Sequence, residues 1–243
     1  MSRAIWKGHV AFGLLQVPVA LYALERRADL QFRMLDSRNQ ARVRYQRVNE
    51  ETGEEVPWDE VVKAYEYDHG SYVVVDEEAM EEVAPEATQT VALEAFVPLD
   101  AIGYEYFDKP YVLAPGRKGE KAYVLLRETL RNAGKVGIAR VVIRTREYLA
   151  ALLPQGNALL LVLMRFHQEL RRLEEFDLPA ADPGEYRISD KEMRMAEQLI
   201  DSMAEAWRPE AYRNEYQEKL MEWVEEQARK GRRKAAPKDE ERA

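Results

Sequence analysis

The chain contains no cysteine. That absence excludes disulfides, thiolate zinc centres and a cysteine nucleophile together. Its three histidines, His9, His69 and His167, are too scattered for metal-ligand spacing, so each reads as a surface or packing histidine. No apolar run approaches the roughly 18 residues that a membrane helix needs. Met1 to Lys7 holds no apolar signal region, and the protein is expected in the cytoplasm, off the membrane. Enzyme signatures are missing as well. Gly134-Lys135 runs into Val136 without the upstream glycine frame of a phosphate-binding loop, and no Gly-x-Ser-x-Gly elbow occurs. No acid stands two residues before a lysine, the arrangement common in metal-dependent nucleases. Carboxylate clusters such as Glu50-Glu51 with Glu54-Glu55, or Glu77-Glu78 with Glu81-Glu82, read as solvated faces and helix starts. The chain is therefore predicted to be non-catalytic and to need no cofactor or metal.

Basic residues are unevenly absent. Ala64 to Asp108 holds twelve acids and no lysine or arginine; setting those charges aside turns the formal −8 into +4 for the remainder. Leu30 to Val48 carries five arginines against one aspartate, and Gly116 to Glu147 nine basic residues against three acids. A phosphate-binding footprint is local, so segregated charge outweighs the total.

Period-two alternation marks the first 25 residues as strands, with Leu15, Val17, Val19 and Leu21 on one face and Pro18 pointing to an edge or irregular position. Arg42 to Val48 alternates again, placing Arg42 and Arg44 opposite Val43 and Tyr45, before a polar turn at Asn49–Gly53. Tyr65 to Val75 is β-rich around a turn at Asp68–Ser71, and Asp76-Glu77-Glu78 opens a short helix. Thr88–Pro98 and Tyr104–Leu113 are extended. Glu120–Asn132 is a helix with Tyr123, Leu126 and Leu130 on one side and Gly134 as its C-terminal cap. Gly137–Arg146 is a strand bearing Arg140, Val142 and Arg144 on one face. Tyr148–Leu153 and Ala158–Phe166 flank the hairpin signal Pro154–Asn157. So many short strands favour a barrel or sandwich over a parallel α/β fold.

Beyond the linker Pro179–Gly184 the character changes. Ser189 to Glu192 is a capping box opening a helix with Met193, Ala196, Leu199, Ile200 and Met203 on its apolar side. Pro209 suits the first turn of a second helix, whose face carries Tyr212, Tyr216, Leu220 and Trp223. These faces are expected to dock on the barrel or on a second subunit, and the tail from Gly231 reads as disordered.

Arginine strands suit backbone phosphates, where a guanidinium donates in a fork to two oxygens. Arg117, Lys118 and Lys121 enter a helix whose free amides add phosphate affinity. Nothing resembles a recognition helix or zinc finger. The residues alone point to a sequence-indifferent nucleic-acid binder. The rival is a scaffold that offers its acidic stretch to a basic protein.

Several blocks carry a family resemblance: Arg3-Ala4-Ile5-Trp6-Lys7-Gly8, Phe12-Gly13-Leu14, Val17-Pro18-Val19, Arg42-Val43-Arg44-Tyr45 and Gly53-Glu54-Glu55-Val56-Pro57. To these add Lys63–Tyr67, Phe96–Asp100, Tyr106–Lys109, Tyr111–Pro115, Gly119–Tyr123, Gly134–Ala139 and Met195–Ile200. In this order, over about residues 3 to 230, they closely resemble prokaryotic Ku proteins. The resemblance implies a mainly β fold with C-terminal helices: a seven-stranded antiparallel β-barrel, an inserted strand-rich bridge arching over DNA, and a helical arm. Barrel and bridge would occupy residues 1–178, the arm 179–230 and a short tail 231–243. It implies a homodimeric ring on double-stranded DNA ends in non-homologous end joining, nucleoid-associated, which recruits the multidomain ATP-dependent bacterial DNA ligase. Carried over by motif, Arg42, Arg44, Arg47 and Lys63 belong on or near the bridge. Lys7, Lys109, Arg117, Lys118, Lys121, Arg140 and Arg144 are candidates for the bore or its rim. Trp6 and Tyr45 are expected to pack beneath the basic strands, and Tyr212, Tyr216, Leu220 and Trp223 to make core, subunit or ligase contacts. Some family members carry a cysteine pair where Asn49 and Thr52 stand here. The short tail, with five basic and three acidic residues, implies weak tail-driven sliding.

Overall fold

In a computed structural model, which describes residues 3–26, 30–83, 88–180 and 182–231, the alternating run forms strand β2 (Leu15–Ala23), burying Val17, Val19 and Leu21. It pairs with β1 (Trp6–Phe12), whose Val10 lies opposite Val17. Contact density divides the chain into two units, Met1–Arg27 with Glu51–Glu175 and Ala28–Glu50 with Phe176–Ala243.

The first unit is a closed barrel. Around it run β1, β2, β6 (Phe107–Pro115), β9 (Ala158–Met164), β8 (Arg146–Gln155), β7 (Lys135–Ile143) and β5 (Thr90–Pro98), which returns to β1. Six seams are antiparallel, and the seventh, β1 with β5, is parallel over His9–Ala11 and Thr90–Ala92. Parity requires this: strand direction cannot alternate all the way round a ring with an odd number of strands. Closure also removes the edge expected for Pro18. Its carbonyl accepts from Gly116 N (2.8 Å) where the β2–β6 pairing has just ended at Val19–Pro115. The missing N–H points the same way, so it costs no ladder bond.

The core is filled from all seven strands: Val10, Val17, Leu21, Val91, Leu113, Val141, Leu152, Leu159 and Leu161 are fully buried. Helix α2 (Glu120–Ala133) adds Tyr123, Leu126 and Leu130 to it and ends on Gly134 at φ 61°, a left-handed cap that glycine adopts without a Cβ clash. At the parallel seam Gly8 admits no side chain, since a Cβ there would lie 2.0 Å from the Gln89 carbonyl and 2.4 Å from the Trp6 ring.

Two sequence expectations shift at their ends. Tyr104–Tyr106 is a 3₁₀ turn, so β6 begins at Phe107. β7 stops at Ile143, putting Arg144 (φ 62°) in the turn to β8 rather than on the strand face beside Arg140. The hairpin β3 (Lys63–Asp68) with β4 (Ser71–Val75), turning at His69-Gly70, and helix α1 (Glu77–Val83) are inserted between β2 and β5. Every described side chain of β3 is exposed, on both faces.

In the second unit, Arg42–Val48 is not the regular strand that its alternation predicts. A short hairpin pairs Leu35 with Arg42 and is flanked by Asp36 N to Ala41 O (2.8 Å) and Val43 N to Met34 O (3.1 Å). Its turn is held by Asp36, whose carboxylate accepts from Arg38 N (2.9 Å) and its guanidinium (2.7 Å). Helix α3 (Asp190–Met203) opens on the expected capping box, with Ser189 N donating to Glu192 (2.8 Å). Helix α4 (Glu215–Arg229) starts later than Pro209 indicates. Pro209–Ala211 is a separate 3₁₀ turn, and Asn214 caps α4 by accepting from Gln217 N (3.1 Å). The expected disordered tail lies outside the described residues beyond Gly231. Among the described residues no helix is long and apolar enough to cross a membrane.

Tyr123 tests how α2 is locked to the barrel. Its hydroxyl donates to Leu113 O (2.8 Å) and accepts from Leu159 N (2.7 Å), tying β6 to β9 from within the core. Burial pushes the phenol above tyrosine's ordinary value, only partly offset by the Leu159 amide. Tyr123→Phe strands both backbone groups and is expected to cost about 1–3 kcal/mol in urea unfolding at neutral pH. Because the folded-state pKa is the higher one, this contribution is complete below pH about 10 and is lost as pH rises through the folded value. The Phe variant lacks that alkaline component.

Candidate nucleic-acid interface

Strand directions sort the candidate cations between the two ends of the barrel. At one end lie the β1–β2 turn, the β6–α2 loop, the β8–β9 turn and the start of β7. Arg117 and Lys118 sit in the loop there, and Lys121 in the first turn of α2. At the opposite end lie the β7–β8 turn with Arg144 and the beginnings of β1 and β6, toward which Lys7 and Lys109 lie. A nine-residue strand spans roughly 30 Å, so these groups do not form one cluster.

The loop Gly116–Gly119 is a tight turn, closed by Gly119 N to Gly116 O (3.0 Å) and laid over Pro18. A Cβ on Gly119 would lie 2.7 Å from the Pro18 ring. Lys118 occupies its left-handed position at φ 60°. Gly119 supplies no side-chain cap to α2. At the far end Arg144 is likewise left-handed. Holding a long side chain there costs on the order of 1 kcal/mol, which glycine would avoid.

Ion pairing separates structural from uncommitted cations. Of the nine basic residues between Gly116 and Glu147, Arg127 and Arg131 pair with Glu128 and donate to the Asn157 and Gly156 carbonyls of the β8–β9 turn. Arg140 is held by Glu94 and Glu147, each at 3.0 Å. The hydrogen bond it donates to Glu147, and then the charge of Glu94, hold its guanidinium above the ordinary arginine range. Glu94 stands two residues beyond Ala92, which pairs with Arg140, at a register shift between Leu93 and Ala95. The other six, Arg117, Lys118, Lys121, Lys135, Arg144 and Arg146, form no ion pair among the described residues. Lys7, Arg42, Arg44 and Lys63 are also exposed and without an ion pair there; Lys109 reaches Glu25 at 3.6 Å. Arg47 is exposed. Arg33, Lys135 and Arg146 carry uncommitted charge that motif reasoning passed over, although all three lie in or beside the basic windows.

Trp6 packs against the core as expected, but Tyr45 does not: it is 80% exposed, touching Met34 through its hydroxyl. Tyr212 precedes α4 and stacks on Trp207 with centroids 5.0 Å apart. Tyr216 and Trp223 are exposed on α4, and Leu220 is partly covered. No described residue of α3 or α4 is fully buried. No grouping of acids and histidines among the described residues could hold a metal ion.

Comparison with known proteins adds the decisive observation. The family model described as the Ku70/Ku80 beta-barrel domain matches residues 11–195. The chain belongs to the Ku family. It is 49% identical over 239 residues to the non-homologous end joining protein Ku of Coxiella burnetii, covering 98% of this chain and 87% of that one. The Opitutus terrae protein of the same name is 45% identical, with 97% and 84% covered. That of Pseudomonas aeruginosa is 42% identical, with 99% and 82% covered. The closed seven-stranded barrel is thus a Ku barrel, and the C-terminal helices follow it as the sequence indicates.

The division of the cations between barrel ends is open to direct measurement. The chain lacks cysteine, so Lys118→Cys with Arg144→Cys introduces one pair of spin-label sites per chain, and dilution of labelled into unlabelled protein isolates the distance within one chain. Pulsed electron resonance is expected to give a distance centred between about 25 and 40 Å. A centre under about 20 Å would place both on one end.

Proposed function

We propose that this chain binds the ends of double-stranded DNA without regard to sequence, as a homodimeric ring acting in non-homologous end joining. Membership of the Ku family, with relatives of that name matching nearly end to end, carries the reading. In it the barrel and DNA-encircling bridge take residues 1–178 and the helical arm 179–230. The ring works in the cytoplasm at the nucleoid, protects the ends, and recruits and stimulates the multidomain ATP-dependent DNA ligase.

The mechanism follows from topology and charge. A closed ring loads only where the duplex ends, so end specificity needs no base contact. Affinity comes from phosphate neutralisation and counterion release. Lys7, Arg117, Lys118, Lys121 and Arg144 supply it from the barrel, and Arg42, Arg44, Arg47 and Lys63 from the segments between β2 and β4. Lys109 contributes less because Glu25 shares its charge, and Arg140 because two carboxylates already answer it. The left-handed lysine and arginine support a role in binding: both turns keep a cation where glycine would be more stable. A homodimer is supported by the uncovered apolar sides of α3 and α4, including Met195, Leu199, Ile200, Tyr216 and Trp223. Burying them against a second copy would remove a large apolar area from water. Tyr212, Tyr216, Leu220 and Trp223 would make that contact or the ligase contact.

A mobility-shift titration of linear against covalently closed circular duplex of one sequence, without metal and at two salt concentrations, tests the reading. Binding confined to the linear form and weakened by salt is expected. Equal binding to both forms would refute encirclement. Lys118→Gly with Arg144→Gly is expected to move two quantities in opposite directions. Folding stability rises by up to about 1–2 kcal/mol per chain, while the slope of log K against log salt becomes shallower by up to about 4, two cations being lost from each subunit of the ring.

A further inference from the structure

The connection from β5 to β6 stands off the barrel wall instead of collapsing onto it. Leu152 and Leu161, paired across β8 and β9, are fully buried in the core, so their neighbours Leu153 and Val162 face outward. Over this outer wall runs the stretch Leu99–Tyr106, two 3₁₀ turns closed by Ile102 N to Leu99 O (3.2 Å) and Tyr106 N to Gly103 O (3.1 Å). Its end is pinned to the chain leaving β9. Arg165 N donates to Tyr106 O (2.8 Å), and the Arg165 guanidinium donates to Glu105 O (3.1 Å), Phe107 O (2.6 Å) and Asp108 (2.9 Å). The Tyr106 hydroxyl makes a further bond with His167 Nδ1 (3.0 Å). None of these bonds uses the side chain of Leu99, Ile102 or Tyr104. Those three, with Phe107, Leu153 and Val162, line an open hollow of about 840 Å³. Tyr104 is 93% exposed and Leu99 48%.

Charge decides what the hollow takes. Asp100 lines it, and Glu105 folds its carboxylate back against Gly103, another lining residue, where a Cβ would lie 2.3 Å from Oε1. Both acids are exposed and neither makes an ion pair among the described residues, whereas Asp108 is taken by Arg165. No lysine or arginine is among the lining residues, nor anywhere from Ala64 to Asp108. A phosphate, a fatty acid or an acidic segment would meet uncompensated carboxylates there. A purely apolar ligand would bring them no counter-charge, and a compact organic cation would leave most of the apolar wall wet. A peptide offers both parts: large side chains for the wall and a lysine or arginine for the rim. We propose that this groove docks a short segment of a partner protein, carrying two large apolar side chains with lysine or arginine beside them. The Arg165 staple makes the groove preformed, so binding orders the peptide alone. This does not rest on the DNA-end reading: a rim of this sign repels phosphate, so peptide and duplex do not compete for it.

Random dodecapeptides displayed on phage and selected on the full chain, without DNA, test this. Enriched peptides are expected to share lysine or arginine beside two large apolar residues and, as fluorescein conjugates, to lose affinity as salt rises. Leu99→Ala with Tyr104→Ala, both exposed positions, is expected to weaken them about tenfold or more. Asp100→Asn with Glu105→Gln is expected to weaken them about three- to tenfold and to flatten the salt dependence. A diazirine-bearing leucine in the selected peptide reads the wild-type chain and needs no variant. Crosslinks to Leu99–Phe107, Leu153 or Val162 support the groove, and crosslinks confined to other segments overturn it. Enrichment of acidic peptides, or no enrichment over bare support, overturns it as well, and so does an affinity that neither variant changes. Variants that sediment at half the wild-type mass also overturn it, because a second copy would then be what covers the groove.

Discussion

Closure of a seven-stranded ring is the constraint on which the rest of the first unit depends. An odd number of strands forces one parallel seam, and that seam is made by three residues of β1 beside three of β5. It is held by a backbone hydrogen bond from His9 N to Gln89 O (2.9 Å), at a spot where Gly8 leaves no room for a side chain. Once the ring is closed, one residue in two along each strand points inward and no backbone edge remains for misplaced pairing. The loops that leave its two ends then stand on a fixed frame. Arg117 and Lys118 are placed by a turn seated on Pro18, itself a barrel residue.

The electrostatics follow the same division between frame and function. A formal charge of −8 opposes binding to a polyanion, yet the acids are concentrated and partly spent inside the protein. Glu94 and Glu147 answer Arg140, Asp108 answers Arg165, and Glu128 answers Arg127 and Arg131. What these pairs leave over is a set of exposed lysines and arginines in turns and on the hairpins. Two of them, Lys118 and Arg144, sit in the left-handed backbone conformation that glycine adopts at least cost. Exposed pairs of this kind contribute little stability each, so their main consequence is to decide which cations remain free.

Much of the frame was legible in the sequence because it rests on short-range periodicity. The alternation of β2, the Tyr123, Leu126 and Leu130 stripe, the Gly134 cap and the Ser189–Glu192 box all stand where the pattern put them. What was not legible depends on partners distant in the chain or on a single dihedral angle. Arg42 to Val48 alternates like a strand but lacks a neighbour long enough to pair with it. Arg144 continues the pattern of β7 while its φ of 62° turns it out of the strand. Pro18 read as an edge signal because nothing local reveals that β2–β6 pairing ends one residue away. The candidate cations were found by counting charge. Counting could not tell Arg140, bound by two carboxylates, from Lys118, bound by none, since Glu94 comes to Arg140 from another strand, distant in the chain. Tyr45 was assigned to packing because nothing around it in sequence shows that no layer covers the hairpin.

Encirclement is the claim on which the functional account turns, and topological trapping tests it most directly. Protein is loaded on linear duplex, the ends are blocked with bulky protein caps or joined by ligation, and the salt concentration is then raised until phosphate contacts no longer hold. The account predicts that protein stays on the sealed DNA through the salt challenge and is released when a restriction enzyme reopens the duplex. Dissociation from sealed and open DNA at the same rate would contradict it, leaving a protein that grips phosphates without surrounding them.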